Sequence, residues 1–248
     1  MGPGSLSESG GRSLTALVCA LTWEARCLPA NAGALAAVTC GMGAAAAKIA
    51  ARRLAESGAA ALFSFGSAGA LDPTLRTADV LLPAGVIDET GGRWPVDHGL
   101  HRFLSALFAP YRPCTADLLA VGRPLAGVQA KIEHWDTGAA AAVDMESAAL
   151  AAVAAEYAVP FAVLRVVIDE QRHAVPEVLL AACDPFGRVA PARVAALLLG
   201  RRVGWRQVAD LARARRRAAQ RLRRLGRELV AGWESNNQYS CRYNGSEE

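Results

Sequence analysis

The chain has 248 residues, of which 52% are hydrophobic and 20% are charged, and its formal net charge is +4. This balance excludes an intrinsically disordered or fibrous protein, and the length is sufficient for one domain with a full hydrophobic core. No apolar run approaches the roughly 20 residues that a membrane-spanning helix needs, so the sequence predicts no transmembrane segment.

The N-terminal residues allow two interpretations. Residues 1–5 are typical of an expression-tag remnant, and we expect residues 1–13 to be disordered. The apolar run at residues 14–21, preceded by Arg12, could be a short signal peptide, but a continuous apolar run is also typical of a buried parallel strand. We interpret it as the first strand and expect a cytoplasmic protein.

Short apolar runs alternate with Ala-rich helical segments through residues 14–200. Predicted helices cover residues 44–56 and 143–156, and predicted strands cover residues 14–21, 35–39, 61–65, 80–88 and 160–168. The alternation predicts an α/β domain of three layers, in which helices flank a central mixed, mostly parallel sheet. Residues 89–137 contain scattered Pro, Gly and His and give no clear pattern.

The C-terminal part of the chain is strongly basic. Residues 201–230 contain eleven Arg against Asp210 and Glu228, a local charge of +9 that leaves −5 for the rest. Apolar residues recur there at helical spacing, which predicts an amphipathic helical extension at 201–234. We expect it to pack on or beside the domain or a second subunit. The alternative is a peripheral contact with an anionic inner membrane.

Binding to nucleic acid is not expected, because no aromatic stacking platform accompanies the arginines. Residues 235–248 are polar and predicted to be disordered.

Six cysteines are scattered along the chain, without a C-x-x-C motif or a closely spaced pair of histidines. Such spacing fits neither a metal site nor a disulfide framework. The sequence therefore predicts reduced thiols and no metal.

Two candidate site segments follow the first and third predicted strands. Glu24 comes just after residues 14–21, where an acid is also common at a helix N-terminus because of the macrodipole. Residues 66–69, Gly-Ser-Ala-Gly, follow the strand at 61–65. Small residues there would let a ligand approach the backbone, although a tight turn without a ligand has the same composition.

Two further segments place acids in apolar surroundings. Asp144, Met145 and Glu146 interrupt a run of small residues, where Asp144 could cap a helix and Glu146 would be a costly buried carboxylate unless a partner binds it. Asp169 ends the apolar strand at 160–168, a position suited to either a catalytic group or a loop cap. In parallel sheets, ligands bind at the carboxyl ends of strands, so these acids are the candidates for chemistry.

In this order and spacing, the four segments resemble the nucleoside phosphorylase and nucleosidase superfamily. That group includes purine nucleoside and uridine phosphorylases and methylthioadenosine/S-adenosylhomocysteine nucleosidase. The resemblance covers residues 14–200 and is most specific in residues 143–149 and 160–169. The Gly-Ala-Leu-Asp-Pro segment at 69–73 and the Arg-rich extension are also similar to a hopanoid-biosynthesis-associated branch, which is linked to removal of adenine from adenosylhopane.

The resemblance implies a role for each matching position. Glu24 would position or activate an attacking water, and Asp169 would protonate N7 of a purine. Met145 would lie under the ribose, and Glu146 would accept hydrogen bonds from the ribose hydroxyls. The other implied substrate-binding residues are Ser67, Ala68, Gly69, Asp144 and Ile168.

The resemblance leaves the nucleophile open between phosphate and water. Phosphorylases of the superfamily often carry an Arg just before the Gly-Ser pair, but Ser64 and Phe65 stand there in this chain. A phosphate co-substrate would then need Arg26, with Gly43 and Ser67. No other cofactor is implied.

Base specificity and assembly are also open. Ile168 stands where the nucleosidases have a Ser that contacts the base, so a purine is implied more firmly than adenine. The candidates for base stacking within residues 89–137 are Trp94, His98, His101, His134 and Trp135, each of which has an ordinary structural interpretation as well. The resemblance implies a homo-oligomer that acts on a small nucleoside, and a lipid-linked nucleoside is one of the options. The alternative is a nucleoside-binding module without catalysis.

Overall fold

A central mixed sheet organises the computed structural model, which describes residues 14–30, 33 and 35–235. Its strands within these residues are β1 (Thr15–Cys19), β2 (Leu35–Thr39), β3 (Ala61–Ala70), β4 (Val80–Leu81), β5 (Gly85–Asp88), β6 (Arg93–Pro95), β7 (Leu118–Ala120), β8 (Ala142–Asp144) and β9 (Phe161–Asp169). The order is β2-β1-β3-β8-β7-β5-β6, and β9 pairs with β3 and β4. Five pairings are parallel, while β3–β8, β4–β9 and β5–β6 are antiparallel. The predicted mixed, mostly parallel sheet is confirmed.

Helices cover both faces of this sheet. They are α1 (Thr22–Ala25), α2 (Ala44–Glu56), α3 (His98–Leu107), α4 (Val128–Asp136), α5 (Ser147–Glu156), α6 (Glu177–Leu180), α7 (Pro191–Leu199) and α8 (Trp205–Ser235), with a 3-10 turn at Ala109–Tyr111. Helices α2 and α5 pack on one face, and α3 and α8 pack on the other. Alternate residues of β9 therefore enter opposite cores, since Leu164 lies with α8 and Val163 with α5. Burial on both faces explains why this strand reads as a continuous apolar run.

The sequence prediction at residues 61–69 is wrong in one respect. The Gly-Ser-Ala-Gly segment is not a turn, because β3 continues through it to Ala70. Gly66 and Gly69 pair across the sheet with Arg165 and Asp169 of β9. A Cβ on Gly66 would lie 2.6 Å from Nη1 of Arg165, and one on Gly69 would lie 3.2 Å from Oδ2 of Asp169. The glycines therefore leave room for charged side chains that lie against β3.

Two other predicted elements are divided in the structure. The predicted strand at 80–88 is interrupted at Pro83, which has no N–H for a strand ladder, so β4 and β5 are separate. The predicted helix at 143–156 begins only at Ser147. Asp144, the last residue of β8, accepts the backbone N–H of Ser147 at 3.2 Å and also bonds its hydroxyl, so its side chain satisfies a donor at the first residue of α5, whose N-cap position is Glu146.

The long C-terminal helix α8 is docked on the domain. Its buried stripe includes Leu225 and Trp233, and the Trp233 ring packs edge-on against Phe63 at 5.6 Å and Phe103 at 5.7 Å. The arginine face, and not the apolar stripe, is therefore the surface left for a partner. Within the described residues, no helix combines the length and the apolar character needed to cross a bilayer. The predicted disordered segment 1–13 lies outside the described residues, and so does the predicted tail 235–248 except for Ser235, which belongs to α8.

Candidate active site

One pocket lies where several chain segments meet at the ends of β1, β8 and β9. Its cavity volume is about 160 Å³. Most of its wall is apolar. Its polar lining residues and their neighbours are Glu24 after β1, Ser67, Ala68 and Gly69 of β3, Asp144, Met145 and Glu146 at the β8–α5 junction, and Arg165, Ile168 and Asp169 of β9.

Glu24 lies on α1 and is 1% exposed. Its Oε1 accepts the backbone N–H of Ser67 at 2.8 Å and the Ser67 hydroxyl at 2.6 Å, and its Oε2 accepts the N–H of Leu21 at 3.0 Å. Burial raises the pKa of Glu24 above its ordinary value, although Arg165 and these hydrogen bonds oppose the rise. A carboxylate with a raised pKa at a pocket wall is suited to accept a proton from a nucleophile.

Arg165 provides the positive charge at the centre of the site. Its guanidinium group is buried, and one nitrogen lies 2.7 Å from Oδ2 of Asp144 and 3.6 Å from Oε2 of Glu146. It also donates to the Ser64 hydroxyl at 2.7 Å and to the carbonyl of Ser67 at 3.1 Å. Together with Glu24, three buried carboxylates therefore surround one buried cation, and the cluster carries an excess of negative charge when all are ionised.

Glu146 lines the pocket and is hydrogen-bonded to the backbone of Gly43. Its Oε1 accepts the backbone N–H of Gly43 at 2.8 Å. Burial and the neighbouring Asp144 raise the pKa of Glu146 to about 7, while Arg165 and the Gly43 hydrogen bond oppose that rise. Glu146 therefore holds its proton to a higher pH than an ordinary carboxyl group does.

This raised pKa predicts a pH dependence of stability. Between the ordinary pKa of 4.5 and the folded value of about 7, the folded protein binds more protons at Glu146 than the unfolded chain does. Stability should therefore fall as the pH rises through this window, by up to roughly 1.4 kcal/mol per pH unit from this group. We expect Glu146→Gln to flatten the decrease in melting temperature between pH 5 and pH 7.5.

The control for this experiment is Glu156→Gln, which removes a carboxylate of α5 whose side chain is 52% exposed. That variant should keep the pH dependence of the wild type, since an exposed group has little linkage to folding. Parallel melting curves for wild type and Glu146→Gln across the window would contradict the predicted proton uptake.

Asp169 closes the pocket at the end of β9. The pairing of β3 with β9 shifts register between Ala68 and Gly69, and this bulge allows both Ile168 and Asp169 to line the pocket. The Asp169 carboxylate contacts the ammonium of Lys131, a fully buried residue of α4. Burial raises the pKa of Asp169, and the ammonium of Lys131, with a smaller contribution from the neighbouring His173, opposes the rise. Asp169 is thus a candidate proton donor.

Two charged residues of this site, Arg165 and Lys131, were not among the candidates predicted from the sequence. A signal for Arg165 exists, since it is the one charged residue inside an apolar strand. Lys131 lies three residues after Val128 and four before Trp135, so the three residues share one face of a helix. This helical spacing is the sequence pattern that could have indicated that Lys131 is buried. The pocket wall formed by Val121, Pro124 and Leu125 was not predicted either, because residues 89–137 show no clear sequence pattern.

Of the three tentative phosphate ligands, the structure places two, Arg26 and Gly43, outside the pocket lining. Arg26 is exposed just after α1 and lines a different surface groove, because the short helix directs Glu24 and not Arg26 inward. The backbone N–H of Gly43 is bonded to Glu146, so it is not available to an anion. Of these ligands, Ser67 alone lines the pocket, and its amide and hydroxyl are bonded to Glu24.

The candidate base-stacking residues also lie outside the pocket lining. They are Trp94, His98, His101, His134 and Trp135. His101 bonds the carbonyl of Leu82 at 3.0 Å, and Trp94 and Trp135 pack against the core. Among the described residues, no group of three or more His, Cys, Asp or Glu is arranged to hold a metal ion.

Comparison with known proteins identifies relatives of this fold. A family model described as the phosphorylase superfamily matches residues 23–200, and no curated protein matches the chain in sequence. The 5′-methylthioadenosine/S-adenosyl homocysteine nucleosidase of Campylobacter jejuni is 15% identical, with a TM-score of 0.65 over 91% of this chain and 100% of its own. The corresponding enzyme of Neisseria meningitidis, solved with methylthio-immucillin-A, is 17% identical, with a TM-score of 0.62 over 88% and 98%. Futalosine hydrolase of Helicobacter pylori is 15% identical, with a TM-score of 0.56 over 63% and 88%. At these identities the likeness concerns the fold.

Proposed function

This chain belongs to the phosphorylase superfamily, and on that basis we propose that it is an enzyme that cleaves the N-glycosidic bond of a purine nucleoside. The observation that carries the proposal is that Glu24 and Asp169 line one pocket together with Met145 and Glu146. A proton acceptor and a proton donor are thereby available in the wall of one pocket. This arrangement supplies what cleavage of a nucleoside requires.

The proposed reaction assigns one change to each group. A water molecule attacks C1′ of the ribose, a bond forms between its oxygen and C1′, and its proton passes to Glu24. The C1′–N9 bond breaks, and its electron pair moves into the purine as Asp169 gives its proton to N7. Positive charge that develops on the ribose is stabilised by the excess of carboxylates around Arg165. Glu146 accepts hydrogen bonds from the ribose hydroxyls.

The electrostatics of the site favour water over phosphate as the nucleophile. Three buried carboxyl groups, Glu24, Asp144 and Glu146, lie around Arg165, which already forms ion pairs with Asp144 and Glu146. A phosphate dianion would add negative charge to this cluster, and the exposed Arg26 is not in position to offset it. Neutral water adds no charge. We therefore propose hydrolysis.

The apolar wall suggests the class of substituent on the sugar. Leu21, Met42, Val175 and Leu180 line the pocket in addition to the residues that surround the sugar and base. Such a wall would accommodate an adenosine with an apolar 5′ substituent, in line with the methylthio compound bound by the Neisseria meningitidis relative. The resemblance to the hopanoid-associated branch makes adenosylhopane the lipid-linked candidate.

Base release measured by chromatography tests these proposals. Adenosine and 5′-substituted adenosines would be incubated with the enzyme in phosphate-free buffer and in buffer with phosphate. We expect release of free adenine at equal rates in both, and faster release for apolar 5′ substituents. Release that requires phosphate would overturn hydrolysis. Binding of these nucleosides without any release would instead support a binding module that does not catalyse cleavage.

A further inference from the structure

Lys131 is a buried charge that the proposed reaction has not yet used. Its side chain is 0% exposed, and its ammonium contacts the carboxylate of Asp169. The same nitrogen donates to the backbone carbonyls of Glu170 at 3.1 Å and His173 at 3.0 Å. An ammonium group has three N–H donors, so each donor has an acceptor here.

The choice of lysine at this position is unusual for this chain. The sequence contains only two lysines, Lys48 and Lys131, among 27 basic residues. Lys48 is exposed on α2, whereas Lys131 is enclosed where α4 meets the end of β9. Burying an ammonium group costs free energy unless the group is paired and hydrogen-bonded. Asp169, the candidate proton donor, is the acidic group that offsets this cost for Lys131.

We propose that Lys131 is a positioning residue for Asp169: its ammonium orients the carboxyl group and stabilises the negative charge that Asp169 acquires when its proton moves to the purine. This inference rests on the proposed function. In the step itself, the O–H bond of Asp169 breaks and an N–H bond forms at N7. The electron pair of the broken O–H bond stays on the carboxylate, and Lys131 keeps all of its protons.

The two carbonyl bonds make this role possible. They hold the ammonium in place through the backbone of the segment after β9, independently of the protonation state of Asp169. The positive charge therefore remains beside the carboxyl group before and after proton transfer. A preorganised charge of this kind needs no rearrangement at the moment of reaction.

Burial and Lys131 act in opposite directions on the acidity of Asp169. Burial raises the pKa of Asp169, which keeps the group protonated, and the ammonium lowers that pKa, which makes the proton easier to release. A proton donor works best when its pKa lies near the working pH. Loss of the ammonium should leave a carboxyl group that holds its proton too tightly.

Other charged groups face Asp169, and none of them replaces the ammonium contact. His173 lies in the segment after β9 and lowers the pKa of Asp169 less than Lys131 does. The further charged groups that line its two adjoining cavities are Glu24, Asp144, Glu146, Arg165, Glu170 and Arg172, with Asp210, Arg213 and Arg217 from α8. The exposed α8 arginines are screened by solvent, whereas Lys131 is in direct contact.

Lys131→Gln tests the inference, because it removes the positive charge while the amide, which is one bond shorter, still carries N–H donors. We expect kcat for adenine release to fall by about 10- to 100-fold, within the contribution of general acid catalysis. The basic limb of the pH profile of kcat/KM should move to higher pH by about one unit, since Asp169 would stay protonated for longer. Lys131→Arg keeps the charge and should retain the position of that limb. Lys48→Gln is the matched control and should leave both quantities unchanged.

A double variant separates positioning from structure. If Lys131 acts through Asp169, Lys131→Gln should cause no further loss of kcat in an Asp169→Asn background. A full additional loss in that background, or an unchanged pH profile in the single variant, would overturn the inference. Melting temperatures of all variants establish that the proteins are folded.

A measurement without turnover distinguishes this inference from the proposed function. The pKa of the Asp169 carboxyl group can be followed by carbon NMR in wild type and in Lys131→Gln. We expect a higher pKa in the variant, and an unchanged pKa would refute the role of Lys131 even if the wild type releases adenine. Absence of adenine release by the wild type, with the pKa change present, would refute the proposed reaction alone.

Discussion

Replacing Asp169 with Asn is expected to reduce kcat for adenine release by about 10²–10⁴-fold, the usual contribution of a general acid. The amide cannot give a proton to N7, so the purine would have to leave as an anion. Its oxygen can still accept a hydrogen bond from Lys131, and we therefore expect the variant to fold. Steady-state kinetics and melting temperatures of the same preparations would measure both effects.

The matched control for this variant is Asp72→Asn. Asp72 lies two residues beyond β3, outside the pocket lining, and its side chain accepts hydrogen bonds from Thr74. An Asn can keep those hydrogen bonds, so kcat should change by less than about twofold, in line with surface substitutions away from a site. If Asp169→Asn retained near-normal kcat, Asp169 would not be the proton donor.

The sequence was sufficient to predict the acids of the site because they stand at strand ends. Glu24 and Asp169 each follow or finish a continuous apolar run, and the carboxyl ends of parallel strands form the ligand-binding edge of such a sheet. Met145 and Glu146 were found because they interrupt a run of small residues, and the family resemblance supplied their roles. The structure places all four residues in the lining of one pocket.

The cations of the site could not be predicted in the same way, because their partners are distant in sequence. Arg165 contacts Asp144 and Glu146, about twenty residues away, and Lys131 contacts Asp169 across 38 residues. Hydrophobic periodicity reports which face of an element is buried, but not which charge will meet a buried residue. The short-range sequence pattern therefore predicted the acidic residues of the site but not Arg165 and Lys131, which pair with them.

The glycines of β3 illustrate a different limit. Gly66 and Gly69 suggested a turn, since glycine is typical of turns, yet both lie in an extended strand. Their role is defined by Glu24, Arg165 and Asp169, whose side chains occupy the space that a Cβ would need. Those side chains come from other elements, so the role of the glycines becomes visible only once β3 and β9 are paired.

Arg165→Met is expected to lower the free energy of unfolding by about 3–5 kcal/mol at pH 7.5, the cost of leaving buried charges without their partner. The variant retains three buried carboxylates, Glu24, Asp144 and Glu146, with no cation among them. These carboxylates can become neutral by binding protons, which relieves the cost of burying them without a cation. Since the pKa values of Glu24 and Glu146 are already raised, we expect the loss to be smaller at pH 5.5. Urea unfolding at the two pH values measures this difference.

Arg172→Met provides the matched control, because Arg172 also forms an ion pair with a carboxylate but its side chain is 64% exposed. Water screens that pair with Glu170, so its loss should cost no more than about 1 kcal/mol at either pH. A loss for Arg165→Met that equals this control, or that does not depend on pH, would mean that the buried carboxylates do not need Arg165 as a counter-charge. The excess of negative charge would then be weaker than the geometry implies. Electrostatics would no longer favour water over phosphate as the nucleophile.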